Sequence, residues 1–99
     1  MNEEHQERQR HTKRDPRELK NLQTRLNRII GQLSGIQKML DENRYCGEIL
    51  NQIAASESAL QQVGYIILKT HMETCVSEDI RSGKENSLDE AFNLMKKLK

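Results

Sequence analysis

The chain has 99 residues, of which 34% are hydrophobic, and it contains one Phe, two Tyr and no Trp. A single small domain of this composition buries only a thin core by itself, so we expect it to form oligomers. We expect no signal peptide, because no basic segment followed by an apolar one opens the sequence, and we expect no membrane span, because no apolar run is near the ~18 residues that one needs. These features argue against secreted and membrane proteins, and they predict a cytoplasmic protein whose two cysteines stay reduced.

The formal net charge of +1 conceals an uneven distribution of charge along the chain. Residues 1–28 carry eight Lys or Arg and five Asp or Glu, whereas residues 29–99 carry eight basic and ten acidic residues. The basic excess at the front predicts a surface that contacts a polyanion, with an ordinary solvated charged face as the alternative.

The first helix is predicted to follow a polar leading segment. Residues 1–14 contain one apolar side chain, Met1, and are predicted to be a mobile tail before a single all-helical domain at residues 15–99. Asp15 as cap, Pro16 in the first turn and Glu18 at the capping-box position are typical of a helix start. Apolar residues then recur three and four positions apart over three heptads, which predicts packing against other helices. They are Leu19, Leu22, Leu26, Ile29, Leu33, Ile36 and Leu40.

Two further helices are predicted after the first. The second runs from about residue 44 to about residue 80, and a cluster of turn residues at 82–86 follows it. Ser87 and Glu90 form a capping-box pattern at the start of a short third helix. No segment has the period-two alternation of a strand, so the whole chain is predicted to be all-α.

Three potential metal ligands share one face of the second helix. His71 and Cys75 are four residues apart, and the 29 residues from Cys46 to Cys75 make ~8 turns and span ~43 Å. Because metal bonds are a few ångströms long, one chain cannot unite these ligands if the helix is continuous. An antiparallel pair of helices would place Cys46 of one subunit beside His71 and Cys75 of the other, with two sites per dimer. Otherwise the cysteines are small buried apolar residues and His71 is structural.

The ligand types favour one metal without excluding others. Two thiolates and one imidazole form a soft set that suits a trigonal Cu(I) ion. Zn(II) normally takes a fourth ligand, and Ni(II) takes a square-planar set. His5 or His11 could supply a further ligand, so Zn(II) and Ni(II) stay open.

Three strings of the sequence resemble the copper-sensing branch of the CsoR/RcnR family of bacterial repressors. They are "RLNRIIGQLSGIQKML", "RYCGEILNQIAASESALQQVG" and "HMETCV", and the resemblance covers roughly residues 19–98. It implies a three-helix subunit, an antiparallel dimer with a core like a four-helix bundle, and a dimer of dimers. It also implies a repressor, not an enzyme, that binds double-stranded operator DNA when apo and releases it on binding one Cu(I) per subunit.

The resemblance assigns roles to particular residues. The copper ligands carry over to Cys46 of one subunit and to His71 and Cys75 of the other. Tyr45 and Glu90 match positions thought to couple the metal to DNA affinity, although Tyr45 alternatively serves packing and Glu90 alternatively caps the third helix.

The DNA contacts that the resemblance implies are basic residues of the first helix. They match Arg25 and Arg28, with Arg14 and Arg17 upstream, and such residues neutralise phosphates. Many family members have a basic residue on the second helix where this chain has Gln62. The alternative is that these arginines are ordinary solvated charges.

The relatives that sense other signals differ at diagnostic positions. Typical nickel and cobalt sensors have a His near the N-terminus and a His in place of the second Cys, formaldehyde sensors have Pro at position 2, and persulfide sensors lack the His. Copper is therefore favoured, but one nickel-sensing branch looks similar at the three ligand positions, which leaves a nickel-responsive repressor open. Outside the family, a cytosolic copper-buffering protein that never contacts DNA and a structural oligomer with incidental thiols are the alternatives.

Overall fold

The structure is a computed structural model that describes residues 11–81, 83 and 87–98, with side chains at all of these positions except 75–77 and 87. Helices make up most of this part of the chain and no strand occurs in it, which confirms the all-α prediction. The elements are α1 (Pro16–Asp41), α2 (Cys46–Thr70), a π-helical segment (His71–Val76) that we call the π turn, α3 (Ser77–Arg81) and α4 (Ser87–Met95).

The second of the predicted helices is a composite. Since α2, the π turn and α3 follow one another without a gap, the helical backbone is continuous from residue 46 to residue 81. With α1 before it and α4 after it, the subunit has the three-helix arrangement expected from the sequence. Residues 1–10 of the predicted tail, and all of the predicted turn except Gly83, lie outside the described residues.

Local chemistry sets both ends of α1. The Asp15 carboxylate accepts a hydrogen bond of 2.8 Å from the backbone N–H of Arg17, and Pro16 occupies the first helical position, where no donor is needed. The helix ends where Asn43 adopts the left-handed conformation, with φ of 54°. This reversal lets α2 return along α1.

The contact between α1 and α2 uses one of the two apolar rows of the heptad pattern. Leu22, Ile29 and Ile36 are buried, and the first two form a core with Val63 of α2. Ser56 of α2 is also buried, and it donates a hydrogen bond of 3.2 Å to the side chain of Gln32 on α1. This polar pair fixes how the two helices align along their length.

Most of the other row of the heptad pattern lies on the surface of the single chain, although Leu26 is partly buried against the core. Leu19, Leu33 and Leu40 have 46%, 50% and 58% of their surface exposed, although they belong to the same predicted stripe. One chain therefore covers only part of the apolar surface of α1. A separate observation is that no described helix is both long enough and apolar enough to cross a membrane.

Candidate metal centre

His71 is the first residue of the π turn, and its ring reaches into the interior. Its Nε2 atom is buried and has no hydrogen-bond partner among the described residues. The ring lines a cavity of about 240 Å³ together with Ile67, Leu68 and Leu94. Buried polar atoms are almost always satisfied, because leaving one unpaired costs free energy. A group from outside the single chain that bonds to His71 would satisfy this nitrogen.

The π turn places the two neighbouring ligand positions in one helical segment. Both His71 and Cys75 belong to it. Four residues of an α-helix rotate the chain by ~400°, which overshoots a full turn by ~40°. A π-helix has hydrogen bonds one residue longer and rotates less per residue, so the relative direction of positions four apart differs from that in an α-helix. Such segments are rare and are frequent at functional sites.

Cys46 lies at the opposite end of α2. It is the first residue of that helix, and its thiol is free and exposed. The 25 residues from Cys46 to His71 correspond to ~37 Å at the ordinary helical rise. The structure therefore groups His71 with the position of Cys75 and separates both from Cys46. This separation was expected if the second helix is continuous.

The donor types at these three positions still fit a metal ion. One imidazole and two thiolates are the ligands that Cu(I) and Zn(II) prefer. Within the part of a single chain that the structure describes, no three His, Cys, Asp or Glu side chains are grouped to hold a metal. A set that joins Cys46 to His71 would require ligands from more than one chain, because ~37 Å of continuous helix separates these two residues.

The two residues expected to couple the metal to DNA lie near different ligands. Glu90, on α4, lines a pocket of about 520 Å³ that His71 also lines. Tyr45 immediately precedes Cys46, and its ring lies over Gly47, where an added Cβ atom would stand 2.5 Å from Tyr45 Cε2. Glu90 and His71 thus line one pocket, whereas Tyr45 is the neighbour of Cys46 in the chain.

The two upstream arginines of the predicted DNA surface have contrasting surroundings. The Arg14 guanidinium lies 3.2 Å from the Glu18 carboxylate, and only 27% and 20% of these side chains are exposed. The Arg17 side chain is 95% exposed, and its closest approach to Asp15 is 4.0 Å. Arg14 is therefore held by the fold, whereas Arg17 projects into solvent.

The other two arginines lie further along α1. Arg25 donates weak hydrogen bonds to Asn21, at 3.4 Å, and to Gln62 of α2, at 3.5 Å. Arg28 is exposed one turn later on the same helix. Gln62, at the position where many relatives are basic, therefore contacts a predicted DNA-binding arginine and adds no charge of its own.

Comparison with known proteins identifies the family. A family model described as a metal-sensitive transcriptional repressor matches residues 18–97. The chain belongs to this family. The resemblance seen in the sequence strings is thereby confirmed, and the family is one of transcriptional regulators.

Several characterised members of the metal-sensitive repressors are similar to this chain. The copper-sensing transcriptional repressor CsoR of Bacillus subtilis (strain 168) is 36% identical over 96 residues, which cover 96% of this chain and 95% of the relative. The copper-sensing transcriptional repressor RicR of Mycobacterium tuberculosis is 40% identical over 63 residues, which cover 64% of this chain and 66% of that one.

Two solved structures, one of a repressor and one of a transcriptional regulator, share the fold. The copper-sensing repressor CsoR with Cu(I) from Geobacillus thermodenitrificans NG80-2 matches with a TM-score of 0.81 and 44% identity, over 88% of this chain and 92% of that one. The nickel-responsive transcriptional regulator InrS matches with a TM-score of 0.73 and 34% identity, over 90% and 98% of the two chains.

Sequence reasoning missed one contact of this repressor near the π turn. Glu18, interpreted from the sequence as part of a capping box, accepts a hydrogen bond of 2.7 Å from the hydroxyl of Thr70. The two residues are 52 positions apart, so no local pattern pairs them. A threonine inside a helix can donate its hydroxyl to the carbonyl four residues earlier and bend the helix, as the Thr74 hydroxyl does to the Thr70 carbonyl at 2.7 Å. A threonine at position 74 is the sequence signal that could have indicated an irregular helix here.

Proposed function

We propose that this chain is a copper(I)-responsive transcriptional repressor that binds double-stranded operator DNA when apo and releases it when Cu(I) binds. The observation that carries the proposal is the position of His71 and Cys75 in one π turn, far from Cys46 along the same unbroken helix. The 44% identity to a repressor that holds Cu(I) supports the choice of metal. The protein would act in the cytoplasm.

The proposed site is shared between subunits. Cys46 of one subunit would join His71 and Cys75 of an antiparallel partner, with one Cu(I) per subunit. The exposed apolar row of α1 supports such an assembly, because a dimer with a core like a four-helix bundle would cover it. Two dimers would then form a tetramer.

The residues of this chain would bind the ion and transmit its presence. Cu(I), when bound, supplies a soft cation that prefers sulfur and nitrogen ligands in trigonal geometry. The apolar cavity around His71 restricts the imidazole, and Glu90 of the adjoining pocket would orient the ring from its other side. Tyr45 would do the same for the end that carries Cys46.

The DNA-binding surface would be the basic face of α1. Arg25 and Arg28 are exposed or partly exposed there, with Arg17 and Arg14 toward the start of the helix. Contacts of such residues with phosphate make affinity fall with salt, by a slope of about −0.9 for each phosphate neutralised. A 100-fold loss of DNA affinity on metal binding requires a coupling free energy of about 2.7 kcal/mol.

The test is a titration of operator DNA with the apo protein, repeated with Cu(I) and with Ni(II). We expect the apo protein to bind and Cu(I), but not Ni(II), to weaken binding by at least tenfold. Binding that is unaffected by Cu(I) would contradict the proposal. If the protein bound Cu(I) but the apo protein were not retained on operator DNA in a salt-dependent way, a copper-buffering role would be favoured instead.

A nickel-responsive repressor is the second candidate. Its support is the match to the nickel-responsive regulator InrS, which extends over 90% of this chain at 34% identity. The same titration distinguishes the two, because release by Ni(II) and not by Cu(I) would assign the chain to nickel.

A further inference from the structure

Glu18 joins two parts of the chain that the proposed function has to connect. One oxygen of its carboxylate lies 3.2 Å from the Arg14 guanidinium, and the other accepts a hydrogen bond of 2.7 Å from the Thr70 hydroxyl. Arg14 precedes α1 among the basic residues, whereas Thr70 is the last residue of α2, directly before His71. We call these three residues the Glu18 bridge.

Thr70 is tied to the π turn as well as to Glu18. Its backbone carbonyl accepts a hydrogen bond of 2.7 Å from the Thr74 hydroxyl, and Thr74 lies between the two ligand positions of the turn. A displacement of the turn would therefore move both the backbone and the hydroxyl of Thr70. Since the hydroxyl bonds to Glu18 at a short distance, the carboxylate would have to follow or lose this bond.

The leading segment also contacts the histidine cavity. Thr12 and Arg14 line the same cavity of about 240 Å³ as His71. The start of the described chain is therefore packed against the end of the helix that carries the ligands. The Glu18 bridge is the polar part of this contact and the cavity wall is the apolar part.

The partial burial of the bridge makes it stronger than the neighbouring exposed pair. Arg14 and Glu18 are both mostly shielded from solvent, while the pair of Arg17 with Asp15 is exposed and 4.0 Å apart. Exposed pairs contribute little because water and salt screen them, and shielding reduces that screening. Arg14 is thus positioned by Glu18, and Arg17 is a nearby arginine of the same type without a comparable anchor.

We propose that Glu18 and Thr70 are positioning residues that transmit a displacement of the π turn to Arg14, and so alter how Arg14 meets DNA phosphate. A guanidinium that a carboxylate holds in place contacts a DNA phosphate differently from a guanidinium that is free of the carboxylate. This inference rests on the proposed function and names a route for its regulation.

The first measurement uses Thr70→Val, which removes the hydroxyl and keeps the shape of the side chain. We expect its Cu(I) affinity without DNA to match the unsubstituted chain, and its melting temperature to fall by a few degrees because a hydrogen bond to a carboxylate is lost. The factor by which Cu(I) weakens DNA binding should fall by about five- to tenfold, within the usual range of coupling between sites. Thr70→Ser restores the hydroxyl and should restore this factor. Ser58→Ala removes an exposed hydroxyl of α2 and should leave it unchanged.

The second measurement needs no DNA and follows the side-chain NMR signals of Arg14 and Arg17 as Cu(I) is added. In the unsubstituted chain the Arg14 signal should shift and the Arg17 signal should stay. In Glu18→Gln, which keeps an acceptor for Thr70 but removes the charge that holds Arg14, the Arg14 shift should disappear. Glu18→Gln provides this test even if Thr70→Val folds poorly.

The outcomes separate the bridge from the repressor function. An Arg14 signal that ignores Cu(I), or an equal loss of coupling in Thr70→Val, Thr70→Ser and Ser58→Ala, would refute the bridge. If Cu(I) moves the Arg14 signal but never changes DNA affinity, the link from the π turn to Arg14 is supported, whereas its effect on DNA and the repressor function are refuted.

Discussion

A mixing experiment tests whether the metal site is shared between chains. Cys46 and His71 are separated by ~37 Å of continuous helix, more than ten times a zinc- or copper-ligand bond of ~2.0–2.3 Å. The variant Cys46→Ala lacks one half of the site, and the double variant His71→Ala/Cys75→Ala lacks the other. Each variant alone should bind no Cu(I) in competition with a high-affinity chelator.

The mixture should recover a defined fraction of binding. When the two variants are unfolded and refolded together, random pairing makes about half of the dimers mixed, and each mixed dimer has one intact site out of two. The copper capacity should therefore be about one quarter of the unsubstituted value. The assay is anaerobic competition with a coloured Cu(I) chelator, with melting curves to confirm that both variants fold. No recovery of capacity on mixing would refute a site divided between chains, as would full affinity in Cys46→Ala alone.

Three further changes test the DNA surface, the packing and the assembly. Arg25→Ala or Arg28→Ala should weaken the binding of the apo protein to DNA. Each should reduce the slope of log affinity against log salt by about 1 if it removes one phosphate contact. An unchanged slope would exclude that residue from the DNA-binding surface. Gly64→Ala should raise stability by about 1 kcal/mol in denaturant unfolding, because alanine is the better residue inside a helix and the atom nearest the new Cβ, Leu98 Cδ2 at 2.6 Å, ends a flexible side chain. A lower midpoint would mean that Leu98 is held in place. Leu33→Glu should shift sedimentation toward smaller species, because half of the Leu33 surface is exposed in one chain and is expected to be covered by a partner subunit. An unaltered sedimentation profile would place the subunit interface elsewhere.

The helices of this protein could be predicted because their signals are local. Asp15 and Pro16 marked the start of α1, and the cluster of turn residues at 82–86 marked the end of the second predicted helix. The heptad spacing predicted that α1 packs against other helices but did not say which of its apolar rows faces α2. That choice depends on the course of the turn at Asn43, which the spacing of apolar residues does not encode.

The candidate site was only partly accessible from the sequence. The shared face of Cys46, His71 and Cys75 follows from helical rotation, so the ligand hypothesis needed no coordinates. The π turn depends on hydrogen bonds that slip by one residue, and apolar periodicity does not report such a slip. Glu18 shows a related limit, because its carboxylate had a sufficient local explanation as a cap while its partner lies at the far end of another helix.

The unbroken second helix has a consequence for how the protein would respond to its own abundance. If each ion needs ligands from two polypeptides, metal binding and association are thermodynamically linked, and each must strengthen the other. Dilution below the dissociation constant of the dimer would then lower the apparent affinity for Cu(I) without any change in the ligands. The metal concentration at half-response would fall as the repressor accumulates, until the dimer is fully formed.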